Sequence, residues 1–293
     1  MQVDGRALEG ALPGRQGRLL LAYLVWNRER ACPRPELIDV LWPEDPPAAA
    51  DSALSALLSK LRRALGAGAL SGRSEVRFSP RDVRVDAEAA MAATARAESA
   101  LESGRLADAL ACAREALSAD LQSFLPEAAG LWVAERRHEC ETARLRALEA
   151  LSLAGARLGG GELGAAEQAA EAAIAAAPFR ESAHRALMEV HEASGNPAEA
   201  LRVFDRLRVL LRDELGTSPG AAAMALHERL LRGEPAAVAP VAAPPAAVTW
   251  PPALDSAVAR HRLVNRTTEL AFLDGCRAQS EQGAHQLVLL AGR

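Results

Sequence analysis

The sequence predicts a mainly α protein. It opens with a winged helix-turn-helix carrying a small β hairpin and wing. An α-helical tetratricopeptide-like solenoid follows, then a linker and a short C-terminal fragment. Three observations carry this reading. First, 49% of the 293 residues are hydrophobic but only 3% are aromatic. The cores must therefore be built from Leu and Ala, which favour helices. Second, the stretch DSALSALLSKLRRALG, residues 51–66, places leucines at 54, 57, 58, 61 and 65, the spacing of a single apolar helix stripe. Third, two helical segments that each begin at a glycine, Gly161 and Gly195, are related by a period of 34 residues.

The elements of residues 1–85 follow in order. QVDGRALEGALPG, residues 2–14, reads as a short hairpin with Asp4-Gly5 as its turn. Residues 15–27 form a helix whose inner face is Leu20, Leu21, Leu24 and Val25. Residues 35–42 form a second, short helix, with Pro35 in its first turn and Leu37, Ile38, Leu41 and Trp42 inward. PEDPPAAA breaks that helix and leads into the leucine-striped one. Asp51 or Ser52 is expected to cap it, and Gly66 to end it. Residues 66–72 read as a loop. SEVRFSPRDVRVD then alternates, with Val76 and Phe78, and Val83 and Val85, on either side of Ser79-Pro80, and is expected to form a β-ribbon.

Taken alone, residues 51–66 also fit an amphipathic surface helix whose last-turn cations suit the helix dipole. The order of hairpin, helix, short helix, loop, cationic helix and ribbon favours a DNA reader instead. Charge points the same way. Residues 1–85 hold 13 bases and 10 acids, whereas 86–233 hold 16 bases and 23 acids. A basic patch on an otherwise acidic chain suits a polyanion. Small serines let a helix backbone sink into a major groove about 12 Å wide. On this reading Ser52, Ser55, Ser59 and Arg62 face bases or phosphates. Lys60, Arg63 and the wing arginines Arg73, Arg77 and Arg81 neutralise phosphate.

Residues 86–233 are helical by pattern. GELGAAEQAAEAAIAAAP from Gly161 aligns with GNPAEALRVFDRLRVLLR from Gly195, and GRLADALACAREALSADL from Gly104 is an earlier copy. Five and twelve residues after each glycine stand Ala109 and Ala116, Ala166 and Ala173, Ala200 and Leu207. Small residues at these places let antiparallel helices cross closely. A long helix is expected over about 127–158. Such a solenoid offers a concave surface to a protein partner. Residues 234–259 read as a Pro/Ala-rich linker.

Cys32, Cys112, Cys140 and Cys276 are far apart and lack CxxC spacing, so neither a zinc site nor a disulfide frame is expected. The six histidines are dispersed, and no catalytic constellation or cofactor motif is complete, so the chain is read as a non-enzyme without cofactor. With no apolar run of membrane-spanning length and no signal peptide at its start, it is expected in the cytoplasm.

The stretches LIDVLWPEDPPAAADSALSALLSKLRRALG and RVFDRLRVLLRDELGTSPG, and the order between them, closely resemble the Streptomyces antibiotic regulatory proteins. These are transcription activators with a winged helix followed by a bacterial transcriptional activator domain. The resemblance covers about 1–233. It implies binding to direct-repeat promoter DNA, often as a dimer through the helical domain, and recruitment of RNA polymerase. The loop Trp42–Ala50 would touch the polymerase. Family members usually carry one more strand ahead of the hairpin, so a shortened N-terminal sheet is expected here. Residues 260–293 look like the start of a STAND-type ATPase domain, with Val264, Asn265, Arg266, Glu269 and Leu270 resembling its opening box. Gly292 would begin a phosphate loop whose later Gly, Lys and Ser/Thr are not in the sequence, so no ATP binding by this chain is expected. The competing reading of the whole is a protein-interaction scaffold with an inactive winged helix.

Overall fold

The computed structural model describes residues 2–3, 6–7, 14–66, 68–79, 83–121 and 124–234. All of these belong to one compact unit, Met1–Ala242. The linker and the ATPase-like segment expected over 234–293 lie outside the described residues beyond Glu234.

Strands β1 (Gln2–Val3) and β2 (Arg6–Ala7) form the expected antiparallel hairpin, with Gln2 opposite Ala7. Helix α1 (Gly14–Trp26) buries Leu20, Leu21, Leu24 and Val25, as its spacing predicts, together with Leu19 and Tyr23. A short strand, β3 (Cys32–Pro33), leads into α2 (Arg34–Leu41), which sets Leu37 and Leu41 into the same core. Helix α3 (Ala50–Leu65) buries Leu54, Leu58 and Leu61 completely, while Leu57 and Leu65 pack at the edge of the cluster. Neither Asp51 nor Ser52 caps α3. The N-cap is Ala49, and Asp51 lies inside the first turn, where a carboxylate suits the helix dipole. Gly66 ends the helix at φ +88°, its N–H bonded to the Arg62 carbonyl.

The ribbon differs from the sequence reading. Its two arms are β4 (Leu70–Ser71) and β5 (Glu75–Phe78), with Leu70 opposite Phe78 and Ser71 opposite Arg77. Part of the expected loop is thus the first arm. Gly72 turns the chain at φ +87°, and a Cβ there would stand 1.8 Å from the Glu75 carbonyl oxygen. Only glycine fits. On its other edge β5 pairs with β3, Cys32 opposite Val76. The predicted second arm is β6 (Val83–Arg84), which leaves the ribbon and pairs with β1, closing a three-stranded N-terminal sheet. Alternation gave the right elements but could not say which edge each would choose.

The rest is helical: α4 (Asp86–Glu102), α5 (Leu106–Leu117), α6 (Leu131–Leu158), a 3-10 turn (Gly160–Glu162), α7 (Leu163–Ala176), α8 (Glu181–Ala193), α9 (Pro197–Leu215) and α10 (Ala221–Leu231). Successive helices pack on one another, α4 on α5, α5 on α6, α6 on α7, α7 on α8 and α8 on α9. The repeat positions Ala109, Ala116, Ala166, Ala173, Ala200 and Leu207 are all buried. The crossing of α6 on α7 is so close that a Cβ at Gly155 would lie 2.9 Å from that of Ala166. Gly216 ends α9 in the left-handed conformation, and the Thr217 N–H returns to the Leu211 carbonyl.

The two halves are joined by an aromatic cluster in a chain poor in aromatics. Tyr23 meets Trp132 edge-on at 5.0 Å, and Phe124 sits 6.1 Å from both Trp26 and Trp132. Val133 and Ala128 complete the core under α1. The Arg28 guanidinium grips both oxygens of Glu88, and Arg18 pairs with Glu127 at 2.6 Å. The solenoid thus docks on α1 and leaves the outward side of α3 uncovered.

Candidate nucleic-acid interface

Burying the leucine stripe of α3 fixes what its other side presents. Ser52, Ser55, Ser59, Lys60 and Arg63 are exposed along the helix. The wing stands beside its C-terminal end. Arg73 is exposed in the wing turn and Arg77 on the outward face of β5, while Val76 and Phe78 point into the core. Arg81 lies outside the described residues.

Two side chains assigned to DNA from the sequence are also used within the fold. Arg62 is half-buried, and its guanidinium donates to the Leu70 carbonyl at 3.5 Å and the Gly72 carbonyl at 2.8 Å. It ties the wing to the reader helix. Ser55 accepts a hydrogen bond at 2.8 Å from Arg34.

Arg34 was not foreseen. Its side chain is only 18% exposed. It donates Nε to the Asp51 carboxylate at 2.6 Å and Nη2 to the Asp51 carbonyl at 2.9 Å. Nη1 reaches the Arg73 carbonyl at 3.4 Å, and its backbone N–H reaches Ser74 at 3.2 Å. One residue at the start of α2 therefore fixes both the reader helix and the wing turn. Its side-chain partners lie 17 to 39 residues away, so no local pattern reveals it. A second brace lies behind the reader. Tyr23 and Arg30 converge on Glu36, and Arg30 holds that carboxyl below the usual carboxylate range. Burial and the same carboxylate push the Tyr23 hydroxyl up to about 12.

The charges are not evenly matched across the molecule. Among the described residues, Lys60, Arg63, Arg73, Arg77 and Arg84 make no ion pair. In the helical half, by contrast, Arg96 pairs with Glu115, Arg114 with Glu162, Arg180 with Glu149, and Arg229 with Glu192. Among the described residues Arg15 and, in the helical half, Arg137, Arg185 and Arg206 also lack an ion pair, but Lys60, Arg63, Arg73 and Arg77 are exposed together on α3 and the wing. Glu75 is the exposed acid of the wing strands. Within the described residues no cluster of His, Cys, Asp and Glu could hold a metal ion, and no helix is long and apolar enough to cross a membrane.

Residues 85–231 match the bacterial transcriptional activator domain. The chain is 34% identical over 236 residues to Regulatory protein AfsR of Streptomyces coelicolor, covering 80% of this chain and 23% of that one. It is 30% identical over 252 residues to Transcriptional regulatory protein EmbR of Mycobacterium tuberculosis, covering 80% and 62%. It is 29% identical over 234 residues to Regulatory protein DnrI of Streptomyces peucetius, covering 75% and 85%. The solved structure of M. tuberculosis EmbR in complex with a low-affinity phosphopeptide superposes with a TM-score of 0.67 at 28% identity, over 76% of this chain and 60% of that one. The chain thus spans under a quarter of AfsR and about three fifths of EmbR. With its winged helix, its helical repeats and these relatives, the chain belongs to the Streptomyces antibiotic regulatory protein family of bacterial transcriptional regulators.

Proposed function

We propose that the chain is a sequence-specific DNA-binding transcriptional regulator, an activator acting through promoter DNA and RNA polymerase in the cytoplasm. The division of labour follows the boundaries read from sequence, with DNA reading in residues 1–85 and the activator domain in 86–233. The observation that carries this reading is the outward row of Ser52, Ser59, Lys60 and Arg63 on α3, beside a wing whose Arg73 and Arg77 are exposed and unpaired. A helix of this kind fits the major groove, with the wing along the phosphates.

The roles then separate. Ser52 and Ser59 allow close approach, and Lys60, Arg63, Arg73 and Arg77 meet phosphate or base edges. Arg62 and Arg34 hold the wing and the reader in register. Ser55 is shared between Arg34 and the DNA side. The loop 42–50, exposed over 43–49, is offered to the polymerase, and the helical domain to a second copy on a direct repeat. No catalysis is assigned.

The test is a fluorescence anisotropy titration of a labelled promoter fragment taken upstream of the gene. Arg63→Ala combined with Arg77→Ala is expected to weaken binding at least tenfold while leaving the helical signal intact. Undiminished affinity in that folded variant would overturn the assignment and leave the helical half as a scaffold.

A further inference from the structure

A cavity of about 340 Å³ lies at the joint between the winged helix and the helical domain. Leu21 and Trp26 of α1 form one wall, Ala87 of α4 and Cys140 of α6 another, and Phe124 and Leu125 of the α5–α6 connection a third. The lining is overwhelmingly carbon. Burial pushes the Cys140 thiol up, so that it too presents a neutral surface. Arg18, Asp86 and Asp120 also border the space, and Arg18 already carries its own partner, Glu127.

The third wall is held open by a specific device. Leu125 has φ +47°, and it is the one non-glycine with a positive φ among the described residues. Its segment is pinned from α6 by Arg137, whose guanidinium donates to the carbonyls of Phe124 and Ala128 at 3.0 Å and to that of Leu125. Costly backbone conformations held by surrounding bonds gather at ligand clamps. Here the costly residue lines the cavity instead of collapsing into it.

We propose that this cavity is a binding site for a small, uncharged, mainly apolar molecule clasped between the reader domain and the helical domain. Its volume lies in the range of small-molecule sites, about 300–1,000 Å³, and such sites favour domain interfaces. Because both domains supply walls, an occupant stabilises the joint itself. The inference does not depend on what α3 reads.

The experiment is a titration of the full chain with Nile red, an uncharged solvatochromic dye. Saturable binding of one equivalent is expected, with blue-shifted emission, a raised melting temperature and nuclear Overhauser contacts from the dye to the Trp26 indole. Ala22→Phe and Ala119→Phe, at half-buried positions lining the cavity, each push a ring into it and should weaken binding at least tenfold. Non-saturable binding, equal binding by either folded variant, or bound dye without contacts to Trp26 in the unaltered chain would overturn the proposal.

Discussion

The wing turn offers the sharpest local test of how the interface is built. Gly72 and Gly66 share nearly the same backbone angle, φ +87° and +88°, but differ in their surroundings. At Gly66 nothing lies within 4 Å of an added Cβ, so Gly66→Ala bears only the backbone strain of φ +88° with ψ 172°, a region essentially reserved for glycine, roughly 1–3 kcal/mol. At Gly72 the added carbon would fall 1.8 Å from the Glu75 carbonyl oxygen, so the turn must open by more than 1 Å. That opening removes the 2.8 Å bond from Arg62 to the Gly72 carbonyl, a charge-assisted hydrogen bond of about 1.5 kcal/mol at a half-exposed site. Gly72→Ala should therefore cost about 1.5 kcal/mol more than Gly66→Ala, limited by the free energy of opening the wing alone. For a unit of this size each kcal/mol lowers Tm by about 2–4 °C. Gly72→Ala should thus lose about 3–6 °C more in Tm than Gly66→Ala. Thermal unfolding by circular dichroism gives the totals, and hydrogen exchange at the Val76 and Phe78 amides reports the wing. Equal losses in the two variants, or unaltered exchange in Gly72→Ala, would refute the steric argument.

Further outcomes follow from the packing. Gly155→Ala should destabilise by about 1 kcal/mol, because the α6–α7 crossing resists overpacking more than alanine's better helix propensity helps; a raised Tm would contradict that. Trp132→Ala, at the half-buried centre of the aromatic joint, should cost about 2 kcal/mol in urea unfolding. Burial raises the folded-state pKa of Glu189 above its ordinary 4.5. The folded state is then penalised once pH rises above the unfolded value, and the penalty is absent below it. Glu189→Gln, although it gives up a 3.9 Å approach to Arg157, should raise Tm at pH 7.5 and lose that advantage near pH 4; an unchanged or lowered Tm at pH 7.5 would contradict it.

What the sequence made legible was whatever local spacing encodes. The leucine stripe of α3, the glycine-led 34-residue period and its buried small residues all stand where periodicity places them. What it hid was long-range pairing. Alternation marked Val76, Phe78 and Val83 as strand residues, yet β5 chose β4 and β3 while β6 chose β1, because edge choice depends on partners tens of residues away. The same holds at the interface. Helical phase put Arg62 on the outward side, but a long guanidinium half-buried beside a turn finds carbonyls to satisfy. Arg34 gave no sequence signal because its meaning lies in Asp51, Ser55 and Arg73. The aromatic joint was readable only as scarcity. With so few aromatics, their convergence at one seam became visible once the chain was folded.

The most direct measurement is the salt dependence of promoter binding in two alanine variants. Lys60→Ala with Arg63→Ala removes two unpaired cations from the reader. Arg202→Ala with Arg208→Ala removes two exposed arginines of α9 that are paired with Glu199 and Asp205. Each phosphate contact contributes about 0.9 to the slope of log affinity against log salt. The reader variant should lose roughly 2 from the magnitude of that slope if both cations meet phosphate, and the α9 variant should lose none. Equal slopes in the reader variant and the unaltered chain would contradict the claim that the outward side of α3 meets DNA.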